Sequence, residues 1–275
     1  MKKQRAFLKW AGGKYSLVED IQHHLPEANT LVEPFVGAGS IFLNTQYQHY
    51  ILADINPDLI NLYQLLKTDP ELYIREAKRW FTPENNRKDA YLSIRKTFNE
   101  TNDTLYRSLA FLYMNRFGFN GLCRYNKKGG FNVPFGSYKK PYFPEAELEA
   151  FSIKAARATF VCANYRETFE MAGADSVIYC DPPYAPLSNT ANFTSYAGGG
   201  FALDDQAGLA DEAERAANER GIPVLISNHD TLLTRRLYHG ADLSVVKVKR
   251  TISRNGSGRN KVDELLALFS PPQNT

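Results

Sequence analysis

The sequence predicts an α/β fold built on a mostly parallel seven-stranded sheet with an antiparallel pair at one edge. Three observations predict it. Short β-branched or aromatic runs alternate with amphipathic helix-length segments over most of the chain. This alternation stops once, between Asn56 and Pro144, where successive segments are helical. Finally, the last two strand candidates are joined by a glycine-rich segment and no helix, so we expect them to pair as a hairpin.

The strand candidates follow from short apolar runs bounded by turn residues. "TLVEPFVG" and "YILADIN" flank the helix-like "SIFLNTQY" and give a β-α-β opening. Five more candidates are "ATFVCAN", "SVIYC", "IPVLISN", "LSVVKVKR" and "ELLALFS". Between them, "LDDQAGLADEAERAANER" is the clearest helix, with acids near its start and Gly221 and Pro223 closing it. A sheet with helices on both faces is the architecture that this alternation favours.

The interruption after the second strand has its own organisation. Four segments show helical spacing of apolar residues: "PDLINLYQLLK", "PELYIREAKRWF", "RKDAYLSIRKTFNE" and "TLYRSLAFLYMNRFG". "GLCRYNKKGGFNVPFG" follows and predicts a β-hairpin with "KKGG" at its tip. We therefore expect two domains, a catalytic domain formed by residues 1–55 and 145–275 and a helical target-recognition domain formed by residues 56–144.

Composition narrows the class of protein. The 275 residues are 43% hydrophobic and 23% charged, as in ordinary globular proteins. No apolar run approaches the roughly 20 residues of a membrane helix, and "MKKQRAFLKW" lacks the apolar segment of a signal peptide, so we expect a cytoplasmic protein without a membrane partner. Cys123, Cys162 and Cys180 are far apart and no histidine has ligand spacing, so neither disulfides nor a metal are expected.

Charge is strongly segregated along the chain. From Arg87 to Lys140 there are eleven Lys and Arg against three acids, a local net charge of +8, so the rest of the chain carries −5 of the overall +3. A second run, from Lys247 to Lys261, has six basic residues and no acid. Either run alone is compatible with a solvated basic face. Both together, with aromatics interleaved, favour a nucleic-acid surface.

The first two strand ends carry residues suited to a nucleoside. In "EPFVGAGS", Gly37 and Gly39 allow a sharp turn and a close backbone approach to a ligand before a helix begins near Ser40. Asp54 ends the second strand, where a carboxylate can bind ribose hydroxyls. Two alternatives stay open from these residues: a tight turn without a ligand, and Asp54 as the cap of the helix starting near Pro57.

"CDPPYAPL" ends a predicted central strand with a carboxylate, two prolines and a tyrosine. The prolines fix φ and remove two N–H donors, which leaves an acceptor-rich corner of carbonyls and the Asp181 carboxylate. Such a corner suits an exocyclic amino group, which brings two donors. Tyr184 offers a flat surface on which a base can stack. A strand followed by a stiffened turn is the structural alternative.

Taken in order, seven motifs spread over nearly the whole chain resemble the bacterial Dam family of DNA adenine-N6 methyltransferases: "KWAGGKY", "EPFVGAGS", "ADIN", "NRFGFNGLCRYN", "FNVPFG", "CDPPY" and "LISNHD". The resemblance implies a Rossmann-like methyltransferase sheet, S-adenosylmethionine as methyl donor, no metal, double-stranded GATC as target and adenine N6 as acceptor. It also implies base flipping and association with the bacterial nucleoid through DNA. No long apolar face stands out in the sequence as an obligate interface, so we expect a monomer.

The resemblance carries roles onto individual positions. Asp181, Pro182 and Tyr184 would hold the flipped adenine. The cofactor would contact Trp10, Ala11, Gly12, Lys14, Phe35, Gly37, Gly39, Ser40, Asp54 and Asp181. Arg124 would read guanine, and further base contacts would come from Leu122, Pro134, Tyr138 and Lys9. Phosphates would be met by Arg95, Asn126 and Asn132, and Phe119 would insert beside the vacated adenine with Asn120 next to it.

Two positions depart from the family pattern: Phe119 stands where the pattern has Tyr, and Ser137 stands where a basic residue is expected. The second departure removes a phosphate contact, which would lower affinity without changing specificity. Besides an adenine methyltransferase, two hypotheses remain. One is a methyltransferase for another amino group, such as cytosine N4, RNA or a protein amide. The other is a DNA-binding regulator without catalysis, which the intact "DPPY" and "FVGAG" disfavour.

Overall fold

The computed structural model of the chain describes residues 3–185, 201–249 and 261–272. Its strands form one sheet, and they are β1 (Thr30–Glu33), β2 (His49–Asp54), β3 (Ala158–Cys162), β4 (Ser176–Cys180), β5 (Val224–His229), β6 (Asp242–Lys249) and β7 (Lys261–Phe269). The strand order is β3-β2-β1-β4-β5-β7-β6. Each strand overlaps one of the predicted runs, so the predicted fold class is confirmed.

The sheet is parallel except at one edge. β1 pairs in parallel with β2 and β4, and β4 with β5. β7 is antiparallel to both β5 and β6. The carboxyl ends of β1, β4 and β5 therefore lie at one edge of the sheet, where open α/β sheets bind ligands. Most of the basic run between Lys247 and Lys261 lies outside the described residues.

Helices lie between most of the strands and throughout the interruption. They are α1 (Val18–His24), α2 (Ser40–Asn44), α3 (Pro57–Thr68), α4 (Pro70–Lys78), α5 (Lys88–Glu100), α6 (Thr104–Phe117), α7 (Glu145–Ala155), α8 (Tyr165–Glu170), α9 (Leu203–Arg220) and α10 (Leu232–Leu237). The four helices predicted between residues 56 and 118 are confirmed as α3 to α6. Among these described helices, none is long and apolar enough to cross a membrane.

The chain groups into two compact units. One comprises Met1–Tyr15, Gly37–Asn44 and Asp54–Cys162, and the other comprises Ser16–Val36, Thr45–Ala53 and Ala163–Thr275. These two units are defined by how compactly their residues pack. The predicted catalytic and target-recognition domains are instead defined by the role expected of each. The functional division stays a prediction.

An aromatic cluster forms the core of the first unit. Phe151 stacks on Tyr63 with ring centroids 4.7 Å apart and meets Phe7 edge-on at 5.0 Å. Phe42 and Phe160 pack against the same ring. All five side chains are buried, and each contributes a large apolar area together with favourable ring geometry.

The second unit packs a small-residue face of α9 onto its strands. Leu209, Ala213 and Ala216 are buried against Ile178 of β4 and Ile226 of β5. Gly221 ends the helix in the left-handed conformation, with φ of +67°, as the glycine after this helix predicted. The close approach that alanine permits packs α9 against β4 and β5.

The predicted β-hairpin after α6 is reduced to two isolated bridges, Gly118–Phe135 and Tyr125–Phe131. Its tip is a turn built by Asn126, whose Oδ1 accepts from Lys128 N at 2.9 Å and Gly130 N at 3.1 Å. Glycine, asparagine and proline are frequent in this segment and disfavour a continuous ladder. The segment from Gly118 to Ser137 is called the recognition loop below.

An ion pair between the buried Asp58 and the partly buried Arg107 fastens the recognition loop to the helices of the first unit. Arg107 of α6 donates from Nε and Nη2 to the two carboxylate oxygens of Asp58, at 2.8 and 3.0 Å. Tyr125 of the recognition loop donates its hydroxyl to the same carboxylate at 2.6 Å. Arg107 also donates to the carbonyl oxygens of Phe98, in the last turn of α5, and of Thr101, directly after it. One carboxylate thus joins α3, α5, α6 and the loop.

Removing the arginine tests the importance of this pair. We expect Arg107→Ala to lower the free energy of unfolding by about 3 kcal/mol, because it leaves the Asp58 carboxylate buried without its counter-ion. Urea unfolding followed by circular dichroism measures the change. Arg87→Ala removes an arginine whose partner, Asp89, is exposed, and this control should leave the midpoint unchanged. Equal midpoints for the two variants would contradict the assignment.

Candidate active site

The glycine turn after β1 is held by Asp54. Gly37 donates its N–H to Asp54 Oδ2 at 3.2 Å, and Asn56 donates its N–H to Oδ1 at 3.0 Å. Gly37 and Gly39 both have positive φ, +46° and +72°, the conformations for which glycine was predicted. Burial raises the pKa of Asp54, and its hydrogen bonds from backbone N–H groups oppose that rise. The carboxylate is therefore an organised acceptor at a strand end.

Asp54 does not cap the helix that follows it, so that alternative is wrong. Asn56 is the N-cap of α3: its Oδ1 accepts from Asp58 N at 3.0 Å and from Leu59 N at 3.4 Å. An asparagine two residues beyond the strand has the reach for these donors. The Asn56 side chain also donates from Nδ2 to Cys123 Sγ at 3.4 Å, which ties the recognition loop to the same point.

The "KWAGGKY" segment packs onto the glycine turn. A Cβ at Gly37 would lie 2.8 Å from Trp10 Nε1, so the indole rests directly on the glycine backbone. Lys14 is buried and donates from Nζ to the Gly12 carbonyl oxygen at 2.8 Å. Ala11 and Gly12 are exposed, and Ser40 opens α2. Trp10, Gly37 and Asp54 therefore form one cluster of the first unit.

Phe35, also predicted for the cofactor, has aromatic partners in the second unit. Its ring stacks on Tyr165 with centroids 6.0 Å apart and meets Phe201 edge-on at 5.6 Å. Phe35 remains half-buried in this group. The stack presents a partly exposed aromatic surface after β1.

The "CDPPY" segment leaves β4 with its carboxylate fixed. Asp181 Oδ1 accepts from Ser227 Oγ at 3.2 Å, and Ser227 Oγ also lies 3.0 Å from the buried Tyr179 hydroxyl. Ser227 is on β5, the parallel neighbour of β4. Asp181 therefore stands at the carboxyl edge of the sheet, half-buried, as its position after "SVIYC" predicted.

Two buried amides lock the backbone beyond Asp181. Gln206 Nε2 donates to the Pro183 carbonyl oxygen at 2.7 Å. Asn228 Oδ1 accepts from Ala185 N at 3.0 Å, and its Nδ2 donates to Gln206 Oε1 at 2.9 Å. Tyr238 supplies a further acceptor for Asn228 at 3.0 Å. This amide pair, Gln206 and Asn228, makes the segment rigid, and sequence reasoning assigned neither residue.

The amide pair also bears on the two proline carbonyls of the predicted acceptor corner. Pro183 O already accepts one hydrogen bond from Gln206, which favours the carbonyl of Pro182, whose side chain is buried, as the acceptor beside Asp181. Tyr184 is half-buried, and burial followed by the nearby Asp181 charge raises the pKa of its hydroxyl well above the usual value. The phenol therefore stays protonated and acts as a donor.

One part of the recognition loop lies next to the N-terminal segment. Asn115 clamps Lys9 by accepting from its N–H at 2.9 Å and donating to its carbonyl oxygen at 2.7 Å. Lys9 Nζ lies 4.3 Å from the centroid of the Tyr138 ring. The Tyr138 hydroxyl accepts from Asn120 N at 2.8 Å. Phe119 is 47% exposed, so the structure presents the predicted wedge to solvent.

The remaining predicted DNA contacts lie on the recognition loop or, for Arg95, on the helix beside it. Arg124 is exposed and donates from Nε to Asn132 Oδ1 at 2.7 Å. Arg95 of α5 donates to the Val133 carbonyl oxygen at 2.9 Å, beside the exposed Pro134. Leu122 is half-buried. Asn126 and Asn132 use their side-chain oxygens within the loop, so their NH₂ groups are the donors suited to phosphates.

The fold and these clusters define an α/β methyltransferase, and comparison with known proteins identifies the family. Residues 10–252 match the D12 class N6 adenine-specific DNA methyltransferases, and the chain belongs to this family. It is 79% identical to a DNA adenine methylase of Vibrio cholerae serotype O1 over 98% of both chains. It is 59% identical to one of Escherichia coli (98% of this chain, 97% of the relative) and 58% identical to one of Serratia marcescens (98% and 100%).

Family membership settles the class of reaction. The chain is an S-adenosylmethionine-dependent methyltransferase that acts on adenine N6 in DNA. The methyltransferase of another amino group and the regulator without catalysis are thereby disfavoured. Over residues 3–185, 201–249 and 261–272, no group of three or more His, Cys, Asp or Glu side chains could hold a metal ion.

Gly37 gives a direct test of the first cluster. We expect Gly37→Ala to lower the free energy of unfolding by about 1–2 kcal/mol, because alanine is strained at positive φ, and to displace Trp10. Urea unfolding measures the first effect. Emission measured in a Trp80→Phe background, where Trp10 is the remaining tryptophan, measures the second. Gly173→Ala, where an added Cβ meets nothing within 4 Å, is the matched control and should change neither.

Proposed function

We propose that the target of this methyltransferase is the adenine of double-stranded GATC, extruded from the duplex for reaction. The observation that carries the proposal is the rigid corner at the end of β4, where Ser227 and the amide pair fix Asp181 and the backbone after it. A carboxylate and a carbonyl held there accept the two N–H groups of one exocyclic amine. An adenine in a stacked base pair cannot reach such a corner, so extrusion is required.

The first unit supplies residues that fit an adenosine-bearing cofactor. The Trp10 indole gives a flat surface that rests on the Gly37 backbone, and Asp54 presents an organised carboxylate to ribose hydroxyls. We propose that Trp10, Lys14, Gly37 and Asp54 hold the cofactor, with Ala11, Gly12, Gly39 and Ser40 shaping this cradle. When bound, S-adenosylmethionine supplies an activated methyl group on a sulfonium. The Phe35 and Asp181 contacts to cofactor stay predictions.

The second unit supplies the groups for the acceptor. Asp181 and the Pro182 carbonyl would accept the two N6 hydrogens, which aims the nitrogen lone pair away from them. Tyr184 would stack on the base, a contact worth roughly 1–3 kcal/mol. The enzyme forms no covalent intermediate, so its contribution is orientation and charge. The proton lost from N6 passes to the Asp181 carboxylate or to water.

The recognition loop and residues that contact it supply the groups for DNA. Arg124 would read guanine, because arginine matches its O6 and N7 acceptors in the major groove, and Leu122 and Pro134 would meet the thymine region. Lys9 and Tyr138 would add base contacts. Phosphates would be met by Arg95, Asn126 and Asn132, and the exposed Phe119 with Asn120 would fill the space left by the adenine. We propose a monomer that works at the nucleoid, where its DNA is.

A labelled-methyl transfer assay tests the proposal. We expect transfer to a GATC duplex and none to the same duplex with GATC scrambled or to RNA. Asp181→Ala should abolish turnover while GATC binding remains measurable, because it removes an acceptor without changing the recognition loop. Equal labelling of the scrambled duplex would refute GATC as target. Retention of more than a few percent of activity by Asp181→Ala would refute the role of the carboxylate.

Arg124→Ala tests base reading. Because arginine is bidentate to guanine, Arg124→Ala should weaken the binding free energy by about 1–3 kcal/mol through one base pair and relax specificity at that position. Competition binding with duplexes changed at each GATC position measures this. Lys127→Ala removes the same charge from the exposed tip of the loop and should weaken all duplexes uniformly or not at all. A uniform loss with Arg124→Ala would make Arg124 a phosphate contact.

A further inference from the structure

Glu264 lies beside the proposed adenine site. The sequence predicted a strand for its segment, "ELLALFS", but no role for Glu264 itself. It occupies β7 directly opposite His229 of β5 in the antiparallel register. The three residues after it, Leu265 to Ala267, are buried core, whereas Glu264 is half-buried. A carboxylate next to an apolar core is costly unless it is hydrogen-bonded. Its partner is therefore informative.

That partner is Tyr184. The Tyr184 hydroxyl donates to Glu264 Oε2 at 2.7 Å. Because burial keeps the phenol protonated and a carboxylate oxygen can only accept, the direction of this bond is fixed. Hydrogen bonds to a charged acceptor are shorter and stronger than neutral ones. The bond holds the far end of the Tyr184 side chain.

A second contact restrains the same ring. Tyr184 and His229 meet edge-to-face, with centroids 4.7 Å apart and an interplanar angle of 78°. His229 is itself fixed, because its Nδ1 lies 2.7 Å from the Ala185 carbonyl oxygen, an acceptor to which Nδ1 must donate. The ring of Tyr184 is thus held by Glu264 at its hydroxyl and by His229 at its side, while its backbone follows Pro183, which the amide pair holds.

We propose that Glu264 is a positioning residue for methyl transfer, which holds the Tyr184 ring through its hydroxyl in the orientation that stacks on the target adenine. The inference rests on the role proposed above for Tyr184. It explains why a tyrosine stands at this position, since phenylalanine offers the same stacking surface without the anchor. A stacking ring that is free to rotate would let the adenine amine move away from Asp181, and small displacements of a reacting group are costly.

The test is a double-mutant cycle on steady-state methylation of a GATC duplex. We expect Glu264→Ala to lower kcat about tenfold through loss of one charge-assisted hydrogen bond, with a much smaller change in KM for DNA. Tyr184→Phe should give a similar loss. The double variant should be no worse than either single one, because both changes remove the same bond. Glu264→Gln, whose amide oxygen can still accept, should restore most of the activity.

The matched control is Glu219→Ala, which removes a glutamate from the exposed face of α9 and should leave kcat unchanged. The inference would be overturned if the kcat losses of the two single variants multiplied in the double variant. Full kcat in Glu264→Ala would also overturn it. So would a Glu264→Gln variant as impaired as Glu264→Ala. If Glu264→Ala does not fold, Tyr184→Phe and Glu264→Gln still decide, because full kcat in Tyr184→Phe overturns the inference.

Tyr184→Ala separates this inference from the proposed function. Loss of turnover in Tyr184→Ala together with full kcat in Glu264→Ala would reject the role of Glu264 alone. Full turnover in Tyr184→Ala would reject the stacking role of Tyr184, and with it the inference.

Discussion

The hydrogen-bonded amide pair of Gln206 and Asn228 is the interaction on which the "CDPPY" segment depends. Two consecutive prolines remove N–H donors from the segment but leave carbonyls that must find partners. Gln206 satisfies the carbonyl of Pro183, and Asn228 satisfies the N–H of Ala185. Because both side chains are buried, an unmet partner would be costly. The network therefore fixes one conformation.

A buried polar group that must be hydrogen-bonded also orders the first unit, and here it is a carboxylate. Asp58 receives hydrogen bonds from Arg107 and Tyr125, and Arg107 extends the network to the carbonyl oxygens of Phe98 and Thr101. The recognition loop has almost no β-ladder of its own, so a buried polar network replaces it as the source of order. Asn56 adds a link, since it donates to Asp54 through its backbone and to Cys123 through its side chain. Burial raises the pKa of Cys123 to about 12, which keeps this thiol protonated.

The sequence was most informative where local patterns were long. α3 to α6 and α9 follow from helical spacing and from Gly221, and every strand was found from its apolar run. α1, α8 and α10 were not assigned, because six or seven residues carry too little periodicity to separate a helix from a loop. The sequence left two roles for Asp54, binding a ligand or capping the next helix. Capping depends on which side chain reaches the first N–H groups of the helix, and the sequence does not show this.

By itself, the sequence determined the fold class, the charge segregation, the glycine turn and the "DPPY" acceptors, since each depends on residue type within a short window. Its ordered motifs also indicated the methyltransferase family. Only the tertiary structure decided which side chains hold these features: Gln206 and Asn228 for the segment after Asp181, Glu264 for Tyr184, and Asn132 for Arg124. These partners lie between 8 and 80 residues apart. Hydrogen bonds over such separations depend on how helices and strands pack together. A local pattern of apolar and polar residues does not predict this packing.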